Sequence, residues 1–432
     1  ISSTNALHPS MTGMRDLFNN ERLSIIQNVG YPEQNRSHFR SMDIWTSGML
    51  DPNATRGWLG RYLDQEFPNF PDAYPDSQNP DPFAISMGYE VSATCQGLAS
   101  NFSVAINNPF DSYNLVETGQ VNDGTYYGAH MEYLSTLIVQ ANAYGAQVNA
   151  AANAGSSLST MYDPNDEVSK NMKYIAQMIS GGLKTKIYIV NVNGFDTHDA
   201  QVVDGAPATG AHANLLSRIS RAVSAFQNDL SLLGLEHRVA GMTFSEFGRQ
   251  IASNASDGTD HGDAAPLFLF GACISSQIIG PNPVIPNTIT DQAGIPMQID
   301  FRDVYASILK DWFEADQTEI QGMFEHTVNF MPILDSCNLG VEEHQSESDV
   351  LLFPNPCVEQ TTLKFKCAGE RVTIRVYDLN GTLVTEVCSK EFQPGEHLVP
   401  VSMDEKPSGN YIITVHKNSG TFSKKFIKLK NI

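Results

Sequence analysis

Residues 187–201, IYIVNVNGFDTHDAQ, run from a β-forming stretch into Asn193-Gly194 and then into Asp196, His198 and Asp199. A second cluster, SDGTDHGDAAP, sets Asp260 beside His261 in a glycine-broken segment, while SEFGR carries Glu246 and NRSHFR carries Ser37 and His38. Carboxylate oxygen combined with imidazole nitrogen suits a divalent ion such as zinc or manganese better than calcium, which favours an all-oxygen set. Asp196, His198, Asp260 and His261 are therefore the candidate ligands of one or two such ions, and hydrogen bonding within the loops is the plainer alternative. A bound ion polarises a phosphoryl or sulfuryl oxygen and lowers the pKa of a hydroxyl or water. Ser37 is the candidate nucleophile, with His38 assisting it or ligating metal, set against the bland reading of Ser37 as a polar turn residue. Glu246 can ligate, act as a base, or pair with Arg249. His8, His130 and His212 read as structural or exposed histidines.

These clusters need elements to hold them. Residues 22–29 read as a buried strand ahead of Ser37-His38, residues 186–192 as a strand ahead of Asp196, and residues 238–244 as a strand ahead of Glu246. Asp260-His261 stands before a further strand at 266–270, and NFSVAI at 101–106 returns the chain to a sheet. Helical signals fall between them. Asp163 and Pro164 open one helix that Gly181-Gly182 stops, and Leu215, Ile219, Val223, Phe226 and Leu230 recur at three- and four-residue steps in another. Asp300 and Asp303 are placed to cap a last helix over DFRDVYASILKDWF. Strands alternating with helices predict an α/β domain with a mostly parallel central sheet covered on both faces, whose ligands gather at the strand ends.

Past residue 343 the texture changes. Residues 344–350 read as a polar linker, and residues 351–432 alternate with a two-residue period between Gly, Pro, Asn and Asp turns, which predicts an all-β sandwich. Phe353, Val372, Ile374, Val376, Leu383, Tyr411 and Ile413 are its expected inward face, and no acid or base cluster appears there.

The bulk numbers narrow the function. At 432 residues two domains are the natural expectation, and 41% apolar against 17% charged residues excludes a wholly disordered chain. The net charge of -21 lies in the first region, because residues 351–432 hold 11 Lys or Arg against 8 Asp or Glu. Such a field repels a phosphate backbone, so nucleic acid is not an expected partner. Neither G-x-G-x-x-G, a P-loop nor a G-x-S-x-G elbow occurs. No apolar run is long enough for a transmembrane span. The six cysteines form no CxxC pair, leaving structural thiols or one or two disulfides.

Taken in order, LHPSMTGM, NVGYPEQNRSHFRSMDIW, GWLGRYLD, GFDTHDAQ, TFSEFGRQIASNASDGTDHG and DFRDVYASIL resemble a secreted bacterial family of undefined function, placed in the alkaline phosphatase and sulfatase superfamily. The resemblance covers about residues 5–315. It implies a central sheet between helices, a metal centre at the strand ends, and the superfamily's Asp-His pattern carried by Asp196 with His198 and by Asp260 with His261. That family usually opens with an apolar strand and a glycine-rich turn bearing an aspartate, expected upstream of LHPS, so the α/β domain of residues 1–343 is expected to lack its N-terminal strand. LLFPNPC, VTIRVYDLNGTLV and PSGNYIITVHKNSGTFSKKFIKL resemble the C-terminal sorting domain of the Bacteroidetes type nine secretion system. That implies partnership with the secretion machinery and a secreted or cell-surface protein. A divalent ion and an oxyanion would account for the clustered Asp and His, so the expectation is an extracellular metal-dependent hydrolase of phosphate or sulfate esters. The alternative is a non-catalytic surface binding or structural protein on the same scaffold.

Overall fold

The computed structural model describes residues 1–111, 115–116, 123–334, 350–367, 369–378, 383–404, 406–417 and 420–430. Cys337 and the expected linker, apart from Val350, lie outside the described residues. The chain divides into two compact units, Ile1–Cys337 and Asn338–Ile432.

The first unit runs α1 Thr12–Asn19, β1 Leu23–Gly30, α2 His38–Ser47, α3 Trp58–Glu66, β2 Ala84–Met87, β3 Ser103–Ile106, α4 Tyr126–Ala154, α5 Glu167–Ser180 and β4 Ile187–Val190. It continues through α6 Ala211–Leu232, β5 Gly241–Met242, β6 Ala265–Phe270, β7 Ile278–Ile279, β8 Ile299–Asp300, α7 Phe301–Asp311 and α8 Gln317–Met323. Strand β1 organises it. Its residues divide between two buried clusters, with a register shift between Ile26 and Val29: Ile26 and Val29 join Trp45, Trp58, Phe301 and Tyr305, whereas Leu23 and Ile25 join Met14, Ile85, Ile179 and Phe226. A strand buried on both sides needs helices on both sides, and α2, α3 and α7 cover one face while α1, α5 and α6 cover the other.

The sheet around β1 is mixed rather than mostly parallel. β7 and β8 pair with β1 in parallel, but β6 pairs antiparallel from Leu23↔Phe270 to Val29↔Ala265, and β5 pairs antiparallel with β6. The reason lies in the connection. A parallel neighbour needs a crossover, usually helical, and residues 243–264 between β5 and β6 contain no helix, so the chain turns back on itself. Strands β3, β2 and β4 form a separate three-stranded parallel sheet, with α4 and α5 supplying the crossover into β4. The strand expected at 238–244 shrinks to β5, two residues long.

The start of α5 lies three residues later than Asp163 predicts. Asp166 caps α5, its side chain accepting from the Ser169 amide, while Asp163 accepts from the Asn165 amide in the preceding turn. Asp300 caps α7 as expected, but Asp303 turns to His326 and the Asn329 amide instead.

The strands of the second unit pair antiparallel: β9 Val350–Phe353, β10 Gln360–Cys367, β11 Glu370–Asp378, β12 Leu383–Phe392, β13 Gly395–Ser402, β14 Gly409–Lys417 and β15 Gly420–Lys428. They form two sheets, β13-β10-β9 and β12-β11-β14-β15, whose buried side chains make one cluster. Val372, Ile374, Val376, Tyr411 and Ile413 are in it, with Leu363 and Phe365 from β10. Phe353 and Leu383, expected inside, are 46% and 49% exposed. Both stand at strand ends, and in β9 the neighbouring Leu352 takes the inward position, a shift of one residue that reverses the face.

Candidate metal centre

Three connections deliver the polar clusters to one place. β1 ends at Gly30, and residues 31–37 lead into α2, which starts with His38. The turn is pinned from inside: the buried Ser41 hydroxyl accepts from Tyr31 at 2.9 Å and Gln34 at 3.0 Å, and donates to the Glu246 carbonyl at 2.5 Å. β4 feeds the loop carrying Asp196 and His198, and β5 the loop carrying Glu246. Asp260-His261 precedes β6 rather than following it. Because β6 runs antiparallel to β1, its beginning lies beside the end of β1, which brings a pre-strand pair to the same rim.

Backbone contacts lock the loops together. The Thr259 amide donates to the Thr197 carbonyl at 3.1 Å, and Arg249 and His261 form an antiparallel bridge. Gly258 passes so close to His198 that an added Cβ would lie 2.2 Å from its carbonyl oxygen, so glycine is required there for the two loops to meet.

The side chains follow one rule. His38 Nδ1 faces Glu246 Oε1 at 2.7 Å, His198 Nδ1 faces Asp260 Oδ1 at 2.8 Å, and His261 Nδ1 faces the Arg36 carbonyl at 2.7 Å. An ionised carboxylate or a carbonyl only accepts, so each ring carries its proton on Nδ1. The three Nε2 atoms turn the other way, toward Asp196: His38 Nε2 lies 3.2 Å from Oδ2, and His198 and His261 Nε2 lie 3.1 Å and 3.0 Å from Oδ1. His198 and His261 Nε2 are 2.9 Å apart. With neutral rings, lone pairs would face lone pairs and a carboxylate. A cation resolves that conflict for all three rings at once, and outer partners on Nδ1 are what metal-ligating imidazoles use to fix tautomer and orientation. His38, Asp196 and His261 offer ligand atoms that all lie within 4.8 Å of one another.

Charge is tuned accordingly. Burial raises the Asp196 pKa, but hydrogen bonds from Arg249 and His261 and the neighbouring His198 and His38 outweigh it and bring it down to about 2. Burial disfavours protonated His38, yet its bonds to Glu246 and Asp196 prevail and raise its pKa. The His198 and Asn254 hydrogen bonds lower that of Asp260.

Asp196, His198, His261, Asp260, His38 and Glu246, all candidates from the sequence, stand together in the structure. Their stations differ: Asp260 and Glu246 stand behind imidazoles, and His38 points its Nε2 into the group. Glu246 holds His38, and Arg249 instead donates to Asp196 Oδ1 at 2.7 Å. Ser37 is the exposed N-cap residue of α2, and its side chain makes no capping hydrogen bond. His212 lies against Phe195, next to the Asp196 loop, with ring centroids 6.2 Å apart, and His8 stacks near His212. His130 bonds its own helix at Tyr126. Arg36 and Asn254 were not foreseen. A carbonyl acceptor leaves no side-chain signal in a sequence, and Asn254 sits in a segment rich in turn residues.

Among the described residues no helix is long and apolar enough to cross a membrane. Cys273 is disulfide-bonded, whereas Cys95, Cys357, Cys367 and Cys388 are free. Compared with known families, residues 2–324 match the one described as a protein of unknown function, DUF1501. Residues 351–429 match the secretion system C-terminal sorting domain. No curated protein matches the chain. The sorting domain marks a secreted or cell-surface protein that engages the type nine secretion machinery found in Bacteroidetes.

Proposed function

The chain belongs to the DUF1501 family and ends in a secretion sorting domain, and from that premise we propose an extracellular, divalent-metal-dependent hydrolase of phosphate or sulfate esters. The observation that carries the reading is the convergence of three Nδ1-anchored imidazoles on Asp196 through their Nε2 atoms. His38, His198, His261 and Asp196 are the ligands, and nitrogen-rich donors with one carboxylate favour zinc or manganese over calcium. The ion supplies Lewis acidity toward an ester oxygen. Glu246, Asp260 and the Arg36 carbonyl hold the rings. Arg249 places a fixed positive charge beside Asp196, with its Nε and Nη2 held by Thr259. Ser37, exposed at the N-terminus of α2 and one residue from His38, is the candidate nucleophile. This reading assigns the α/β unit to the alkaline phosphatase and sulfatase class.

One observation favours the non-catalytic alternative. The Arg249 guanidinium already neutralises Asp196 at 2.7 Å, which stabilises the cluster as a polar network without turnover. Elemental analysis of protein purified without added metal, together with hydrolysis of aryl phosphate and aryl sulfate monoesters before and after chelation, separates the two. Stoichiometric zinc or manganese with chelator-sensitive hydrolysis is the expected result. Metal uptake without hydrolysis would leave the binding scaffold, and absence of both would end the metal reading.

A further inference from the structure

We propose that Arg36 is a positioning residue of this centre, an inference that rests on the metal reading above. Its two ends grip the same ligand turn. The Arg36 carbonyl accepts from His261 Nδ1 at 2.7 Å, and its guanidinium clamps Asp263, two residues further on, through Nε and Nη2 at 2.9 Å each. Nη1 donates to the Gln292 carbonyl at 2.9 Å.

The segment reached by that third contact is itself stitched around His261. Gln250 donates to the His261 carbonyl at 3.2 Å and to Gln292 Oε1 at 2.9 Å. The Ile251 amide donates to the Ala293 carbonyl and the Ala264 amide to the Ile295 carbonyl, at 2.9 and 3.0 Å. Gly294 passes against Asp263 so closely that an added Cβ would lie 2.1 Å from Oδ2, which leaves that carboxylate little freedom to swing away.

A bidentate guanidinium-carboxylate pair fixes direction as well as distance. The acceptor on the far nitrogen of a ligand histidine sets ring orientation and basicity. A backbone acceptor cannot be deleted by substitution, so its position depends on whatever anchors its own residue. Here the Arg36 side chain is that anchor, tying the carbonyl that holds His261 to the turn on which His261 is carried. A lysine cannot reproduce the paired contact.

The test is zinc(II) affinity by calorimetry and the visible spectrum of the cobalt(II)-loaded full chain, for wild type, Arg36→Ala, Arg36→Lys, Asp263→Ala and the Arg36→Ala/Asp263→Ala double variant. Arg22→Ala is the control, because the Arg22–Glu236 pair at 2.8 Å is similarly half-buried and contacts none of the ligands. Arg36→Ala should weaken zinc binding about 10- to 100-fold and shift the cobalt bands. The double variant should stay within about twofold of it, because both substitutions break one link. Arg22→Ala should lower the melting temperature and leave affinity unchanged. If Arg36→Ala does not fold, Arg36→Lys decides: a folded lysine variant must show the same weakened affinity and shifted spectrum. Wild-type affinity and spectrum in folded Arg36 variants, or full additivity of the Asp263 substitution, would overturn the inference while the metal reading stands. A wild type that takes up neither ion overturns both.

Discussion

Strand β11 and the Asp196 loop show two ways of using a β-strand. In β11, Val372, Ile374 and Val376 alternate into a core from which water is excluded, and these inward side chains only pack. β4 is only four residues long, yet the loop that leaves it brings Asp196 and His198 to His38 and His261, which come from two other stretches of chain. Regular alternation buries apolar surface efficiently but spreads side chains along a line. Long irregular connections gather them at a point, and the gathered groups are then left partly in water: Asp196 is 45% exposed and His198 44%. The strand-end cluster therefore depends on hydrogen bonds and charge, and the C-terminal module on packing.

The largest expected effect breaks the cluster while sparing its surroundings. Asp196→Ala removes the carboxylate on which three Nε2 atoms converge and should weaken zinc binding by more than about 100-fold, since outer partners alone account for 10- to 100-fold. Because Asp196 is nearly half exposed, the circular dichroism spectrum should not change. Packing gives the opposite result in the second unit. Ile374, 0% exposed, truncated to alanine should destabilise the module by about 2–5 kcal/mol, read from its denaturant midpoint. A smaller cost would mean that the two-sheet core can collapse around the void. Next come Glu246→Gln and Asp260→Asn, each expected to weaken zinc binding about 10- to 100-fold in titration calorimetry, because a neutral acceptor holds the imidazole less firmly. Wild-type affinity in both variants would show that the rings are held by packing, His38 against Phe247 and His198 against His261, rather than by their carboxylates.

Much of this contrast was legible in the sequence. Period-two apolar spacing marked Val372, Ile374, Val376, Tyr411 and Ile413, and three- and four-residue spacing marked α6, because burial repeats with the geometry of the element. It failed at Phe353 and Leu383, where strand ends leave the core. The chemistry-bearing residue types named Asp196, His198, Asp260, His261, His38 and Glu246, but could not sort the groups that converge on Asp196 from the carboxylates behind the rings. That sorting depends on which ring nitrogen faces which oxygen, a matter of side-chain orientation. The antiparallel return of β6 was equally hidden, since strand order follows from a long connection without helix rather than from any local pattern. Arg36 acts partly through its backbone, and a backbone carbonyl is the same at every residue.

pH should give the smallest effects, and they test whether the cluster is held by charge. In the metal-free protein Asp196 has a folded pKa of about 2, below the unfolded value near 3.9. Its contribution to stability is therefore complete above the unfolded value and lost as pH falls toward 2. His38 has a raised folded pKa, so its contribution is complete below the ordinary imidazole value of about 6.5 and lost as pH rises through the folded value. At 45% and 41% exposure, solvent screening keeps both contributions small. Urea midpoints measured in chelator across the acid and neutral ranges should fall off on both sides. Asp196→Asn should flatten the acid limb and His38→Gln the neutral limb. Zinc should suppress the neutral limb in the wild type, because an ion held by Nε2 takes the place of the proton that His38 otherwise needs to face Asp196. A neutral limb that survives saturating zinc would mean that His38 remains paired with the carboxylates and outside the ligand set.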